Sequence, residues 1–315
     1  MTTAGSVMED RRFVLLIGGP DAGKSNYLFR CWLAIDQAHG ILVSDGLPDD
    51  LEYLRSGADA LLNGHFAPRT PTEVHNRNVE PVKASQNGNL KGDLIVPDCS
   101  GEKWLDIYDR REWSDDWEEL ISAGTGCLVF IRAGSDKIVA PLDWISWFKL
   151  FGSAEMPDAG LESEADVAAS QSAKRTTPTQ IVLIDWLQFL RRAFTDRIKG
   201  SFRPRIGVVV SAWDAVPEDQ EPAGPTAYLA ANFPMFEQFL RANGSFFDIQ
   251  TFAVSVAGGD FMNEPGFRDK FLQGNPLTAG YVIHGLDGAW KTSADHTLPV
   301  AWALGLLDET DRGER

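Results

Sequence analysis

The chain has 315 residues, 43% of them hydrophobic and including 10 Trp and 18 Phe, which supplies enough apolar surface for a large core and excludes a wholly disordered chain. Its 29 Lys and Arg against 45 Asp and Glu give a formal net charge of -16, which repels phosphate backbones and anionic lipid heads and so excludes broad nucleic-acid or membrane-surface binding. Cys31, Cys99 and Cys127 are few, odd in number and widely spaced, so a disulfide framework is not expected and a reducing, cytoplasmic compartment is. No apolar run approaches the ~20 residues of a membrane span, and the apolar run Phe13–Ile17 before Gly18 is shorter than the apolar stretch expected of a signal sequence.

In chain order, short Val-, Ile- and Leu-rich runs at Phe13–Ile17, Val79–Ala84, Asp93–Val96, Cys127–Ile131, Ile206–Val210 and Ile249–Val254 read as buried strands. Helical patterns lie between them: after Ser25, at Asp49–Leu62, Trp113–Ser122, Pro141–Phe151, Pro178–Ile198 and Thr226–Ala242, and near Val300–Leu307. For the Pro178 helix Thr177 serves as N-cap, Pro178 as first helical residue, and Val182, Trp186, Phe189 and Leu190 as the inward face. This alternation predicts an α/β domain with a mostly parallel sheet covered by helices on both faces. Residues 152–177, rich in Ala, Ser and acids, read as a flexible insertion within one domain spanning 1–315.

The strongest motif is Gly18-Gly19-Pro20-Asp21-Ala22-Gly23-Lys24-Ser25, which satisfies G-x-x-x-x-G-K-[ST] between a predicted strand and a predicted helix. Glycines let backbone N–H groups wrap phosphates, the helix start adds its positive dipole end, Lys24 reaches the β/γ-phosphates, and Ser25, with Asn26 beside it, stands where a Mg²⁺ ligand is needed. A second strand ends in Asp98-Cys99-Ser100-Gly101-Glu102, a D-x-x-G. In a P-loop protein such an Asp holds the Mg²⁺ shell, and the Gly N–H meets a γ-phosphate in a segment that relaxes on hydrolysis.

A third strand ends in Ser211-Ala212-Trp213-Asp214. Here the chain resembles the translation-factor-like (TRAFAC) class of P-loop GTPases, whose base-reading motif is [NT]-K-x-D. The resemblance implies that Asp214 accepts from the guanine N1–H and exocyclic amine. Ser211 stands where Asn or Thr is usual and Ala212 where Lys is usual, so the stem that covers the base is missing; Trp213 either stacks on the base or points into the core. Ser255 and Val256, ending a fourth strand, resemble the S-A motif whose backbone touches the guanine O6.

The same resemblance implies a switch I threonine binding Mg²⁺ and the γ-phosphate. Thr70 is the first choice and Thr72 the alternative, with Arg69 as a cis arginine. Glu102 stands where a water-orienting Gln or His is usual, and a carboxylate beside a triphosphate implies slow turnover. Arg110 and Arg111 read as surface cations paired with Asp106 or Asp109. His39, His65, His75, His284 and His296 show no metal or triad spacing and are expected on loops or faces. Trp104, Trp113, Trp117, Trp144 and Trp147 read either as core or as a partner surface.

More specifically, Pro97 to Glu102, Arg69-Thr70, Leu187-Gln188-Phe189-Leu190 and the tail Thr297 to Trp302 resemble the bacterial double-GTPase family of conflict and phage-defence operons. That resemblance implies a GTP- and Mg²⁺-dependent switch acting on a protein partner, a second GTPase or an effector. An ATP-using P-loop NTPase or kinase and a non-hydrolysing nucleotide-binding scaffold are the competing readings.

Overall fold

The computed structural model describes residues 12–67, 77–84, 91–97, 108–111, 126–141, 177–195, 203–286 and 288–307. The expected helices at 113–122 and 141–151, the five tryptophans between 104 and 147, and the 152–177 insertion apart from Thr177 lie outside these residues.

Among the described residues nine strands form one sheet in the order β2-β3-β4-β1-β5-β6-β7-β8-β9. They are β1 (Phe13–Ile17), β2 (Leu42–Ser44), β3 (Arg77–Ala84), β4 (Lys91–Pro97), β5 (Gly126–Arg132), β6 (Arg205–Ser211), β7 (Asp248–Ser255), β8 (Tyr281–Leu286) and β9 (Ala289–Ser293). The central five, β4-β1-β5-β6-β7, are parallel, and antiparallel pairs extend both flanks. The α/β architecture is the one expected, and all six predicted strands are present. The three additional strands, β2, β8 and β9, lie on the flanks, where β3, an expected strand, also runs antiparallel to β4.

The described helices are α1 (Lys24–Asp36), α2 (Leu51–Leu62), α3 (Thr179–Thr195), α4 (Gly224–Asn232), α5 (Pro234–Ala242), α6 (Phe267–Gln273) and α7 (Leu298–Ala303). The single helix expected over 226–242 is two, because Pro234 lacks an N–H and disfavours helical geometry at the residue before it; Phe233 sits at φ -134° and ψ 52°. Gln180 of α3 closes the resulting gap: its Oε1 accepts from the Met235 N–H at 2.8 Å, one of the orphan donors at the start of α5.

Side chains alternate along each strand into two cores. Val14 and Leu16 of β1 pack with Leu28 and Cys31 of α1, Leu54 of α2 and Val300 of α7. Leu15 and Ile17 face the opposite side, with Val182, Trp186 and Leu190 of α3 and Phe236 of α5. Each such fully buried aliphatic or aromatic side chain contributes on the order of 1.5–3 kcal/mol. The strand order reverses at β1, which pairs with β4 on one side and β5 on the other. That switch point, at the carboxyl ends of the parallel strands, is where α/β sheets open a crevice for ligands.

Candidate functional site

Four strand tips meet at this edge. β1 ends at Ile17 and runs straight into Gly18, while Ile17 pairs with Val129 of β5, Arg132 at the β5 tip with Ser211 at the β6 tip, and Ser211 with Val254 of β7. The segment Gly18–Gly23 loops over these tips into α1. Two of its glycines are dictated by close approach. A Cβ on Gly18 would lie 3.0 Å from the Phe130 carbonyl oxygen, and a Cβ on Gly23, whose φ is +86°, would lie 2.5 Å from Ser211 Oγ. The first turn of α1 carries no acid and no side chain caps it, so its N–H groups and positive dipole end face the loop.

Lys24 folds back across the loop, its ammonium donating to the Gly18 and Gly19 carbonyls at 2.6 and 3.0 Å. Ser25 sits in the first turn of α1 with a hard oxygen donor of the kind Mg²⁺ prefers. Asn26 reaches elsewhere: its Oδ1 accepts from the Ala67 N–H at 2.9 Å. It therefore ties α1 to the end of the segment that leads to Arg69 and Thr70.

At the β6 tip, Ser211 is buried and its hydroxyl donates to the Ala22 carbonyl at 2.8 Å. Its side chain thus ties the strand tip to the Gly18–Gly23 loop. Ala212 turns the chain with φ +51° into a short 3-10 turn, Trp213–Ala215. Trp213 is fully buried edge-on to Tyr228, with ring centroids 5.7 Å apart, so its indole packs into the core and is no stacking face. Asp214 is half-buried beyond it. Burial, followed by the charges of Glu221 and Asp214, pushes the Tyr281 hydroxyl up to about 12, so Asp214 and the phenol at the start of β8 share one field.

The β7 tip is locked from three directions. Ser255 Oγ accepts from the Gly258 N–H at 2.8 Å. Arg30 of α1, almost wholly buried, donates from Nε to the Val256 carbonyl and from Nη1 to the Pro276 carbonyl, each at 2.7 Å, and burial pulls its guanidinium down to about 10. His296 lies with Nε2 3.2 Å from the Ser255 carbonyl and Nδ1 3.0 Å from that of Ala294. Burial, then the Arg30 charge, pulls the imidazole down to about 4, so the ring is neutral and donates to one carbonyl only. His296 is therefore a core residue, contrary to its expected surface place. Tyr27 of α1 donates to the His296 carbonyl at 3.0 Å.

Gly18 to Asn26, Ser211, Trp213, Asp214, Ser255 and Val256 all fall on this edge or in the elements joined to it. Arg69, Thr70, Thr72, Asp98, Gly101 and Glu102 lie outside the described residues; β4 ends at Pro97, one residue before Asp98. Arg111 pairs with Asp185 of α3 at 2.6 Å and lies over the Tyr108 ring; Asp106, one of its expected partners, lies outside the described residues. Arg30, Arg132, Tyr281 and His296 were not among the site residues expected from sequence. Arg132 did carry a signal: it ends an apolar strand in the same series as those ending in Asp98 and Asp214.

Among the described residues no group of three or more His, Cys, Asp or Glu is arranged to hold a metal, and no helix is long and apolar enough to cross a membrane. A glycine-bounded loop between a buried strand and a helix, closed by Lys24 and backed by two further strand tips, defines a domain of P-loop NTPase architecture. The chain belongs to the Double-GTPase 1 family, whose model matches residues 15–303.

Among solved structures, the Saccharomyces cerevisiae Ski7 GTPase-like domain bound to GTP is similar at 12% identity and TM-score 0.39, over 78% of this chain and 43% of that one. The RocCORdC portion of Methanosarcina barkeri Roco2 bound to GDP is similar at 12% identity and TM-score 0.29, over 86% of this chain and 51% of that one. The chain thus spans about half or less of those structures. No match is found among curated proteins.

Proposed function

We propose that the chain is a single GTPase domain over residues 1–315 that binds GTP with Mg²⁺, hydrolyses it slowly, and acts as a switch on a protein partner. That partner is a second GTPase or an effector of a bacterial conflict or defence system. The observation that carries the reading is the Ser211 hydroxyl bound to the Ala22 carbonyl: it seats the strand tip that bears Asp214 directly behind the phosphate loop. In this reading Gly18–Gly23 and the start of α1 wrap the phosphates and Lys24 leaves its loop carbonyls for the β/γ-phosphates. Asp214 accepts from the guanine edge, and the Val256 backbone meets its oxygen.

Ser25, Thr70 and Asp98 would hold Mg²⁺, which when bound offsets charge on the β- and γ-phosphates. Arg69 and Gly101 address the γ-phosphate. Glu102 places a carboxylate beside developing negative charge and keeps turnover slow, so intrinsic hydrolysis falls in the range of unassisted switch GTPases. Competition of GTP, ATP and XTP for the purified chain, with single-turnover hydrolysis of radiolabelled GTP, tests the reading. Preference for GTP with a slow rate supports it; preference for ATP, or a rate matching arginine-activated GTPases without any partner, overturns it.

A further inference from the structure

The phosphate loop carries a carboxylate, Asp21, for which its chemistry has no use. An acid in a loop that wraps a polyanion repels it, and the bulk charge of -16 supplies no relief. Asp21 is also one of the described non-glycine residues in the left-handed region, at φ +61°.

Both of its carboxylate oxygens are engaged from the β5 tip. Arg132 Nη1 lies 2.6 Å from Oδ1, and Ser135 Oγ donates to Oδ2 at 3.0 Å. This tip is itself fixed: the Ala133 N–H donates to the Ser211 carbonyl at 2.9 Å. Arg132 also faces Asp260, whose carboxyl is pushed up by burial but held below its ordinary value by hydrogen bonds from Asn263 and Met262 and by the Arg132 charge.

We propose that Arg132 is a positioning residue for phosphate binding: it neutralises Asp21 and fixes its left-handed backbone, so that an acid-bearing loop keeps its affinity for a triphosphate. The proposal rests on the reading of the loop as a nucleoside-triphosphate site but not on which base is read. Removing the cation exposes the triphosphate to an uncompensated carboxylate. Removing the carboxylate as well removes the need for the cation.

Fluorescent GTP and GDP are titrated into the purified full chain and into Arg132→Ala, Asp21→Asn, the double variant and Arg132→Lys, with thermal unfolding of each. Arg132→Ala is expected to weaken GTP by about tenfold or more and GDP by less, since repulsion grows with phosphate charge. Asp21→Asn should bind GTP more tightly than the wild type with a smaller gain for GDP, the double variant should return to within about threefold of the wild type, and Arg132→Lys should retain most of the affinity. Should Arg132→Ala fail to fold, the ratio of GTP to GDP affinity in Asp21→Asn against the wild type reads the same repulsion, and an unchanged ratio overturns the proposal.

Equal weakness of Arg132→Ala and the double variant, equal losses for GTP and GDP, or no loss at all would also overturn it. A wild type that prefers ATP refutes the guanine reading alone, because the same pattern read with ATP and ADP still decides the role of Arg132. One that binds no nucleotide refutes both.

Discussion

Ser211, the last residue of β6, donates its hydroxyl to the carbonyl of Ala22 in the phosphate loop across 2.8 Å, and Gly23 approaches it so closely that no side chain fits between them. The strand tip that leads to Asp214 and the loop that would hold phosphates are thus one mechanical unit.

Ser211→Ala leaves the buried Ala22 carbonyl without this donor and is expected to cost about 1–3 kcal/mol. Because the loop itself loosens, GTP and GDP affinities should fall together. Isothermal titration with both nucleotides, alongside a urea unfolding curve, checks this; a loss confined to GTP would contradict it.

Gly23→Ala meets two obstacles, the +86° φ and the Ser211 side chain 2.5 Å from the new Cβ. A destabilisation of about 2–4 kcal/mol follows from strain and overlap together. Adding Ser211→Gly removes the overlap but not the strain, so the double variant should recover part of the loss. Complete recovery in thermal unfolding would show that φ costs nothing there.

Arg30→Met keeps the buried aliphatic stem and removes the donors to Val256 and Pro276, leaving carbonyls on the base-side loop unpaired. A loss of about 2–4 kcal/mol is expected. Stopped-flow release of a fluorescent nucleotide should also quicken, since α1 no longer holds the β7 tip. Unchanged release with reduced stability would confine Arg30 to a structural role.

His296 has a folded pKa lowered to about 4 against an ordinary value of 6.5, chiefly by burial. The unfolded chain therefore binds the extra proton first, and the stability present above pH ~6.5 declines as pH falls toward 4, by about 3 kcal/mol for this group. His296→Phe should remove that part of the slope. Parallel denaturation curves of wild type and variant from pH 7 to pH 4.5 read the difference, and identical slopes would contradict it.

Much of this was legible in the sequence. The motif at Gly18–Ser25 sits between a buried strand and a helix as its chemistry requires, and every run of Val, Ile and Leu taken as a strand is one. The break at Phe233–Pro234 left a signal that the single expected helix over 226–242 passed over, since Pro disfavours helix at the residue before it. β8 and β9, which were not among the expected strands, left one as well, an Asp-Gly pair between two short runs in the sequence.

Side-chain direction after β6 was not. Alternation places Val208 and Val210 in one core and Val209 in the other, but the left-handed Ala212 resets the parity and sends Trp213 inward. Nor does local sequence show that Arg132 reaches Asp21, 111 positions away, or that Arg30 reaches Val256 from 226. Such pairings are set by which strand tips the sheet brings together.

The most direct test of the central claim is the nucleotide preference of Asp214→Asn. Wild type is expected to favour GTP over XTP by about 100-fold or more, because a carboxylate accepts from the two guanine donors and xanthine presents a carbonyl there. The variant should reverse toward XTP with its thermal stability unchanged. A GTP-to-XTP ratio that Asp214→Asn leaves where it was would show that Asp214 does not read the base.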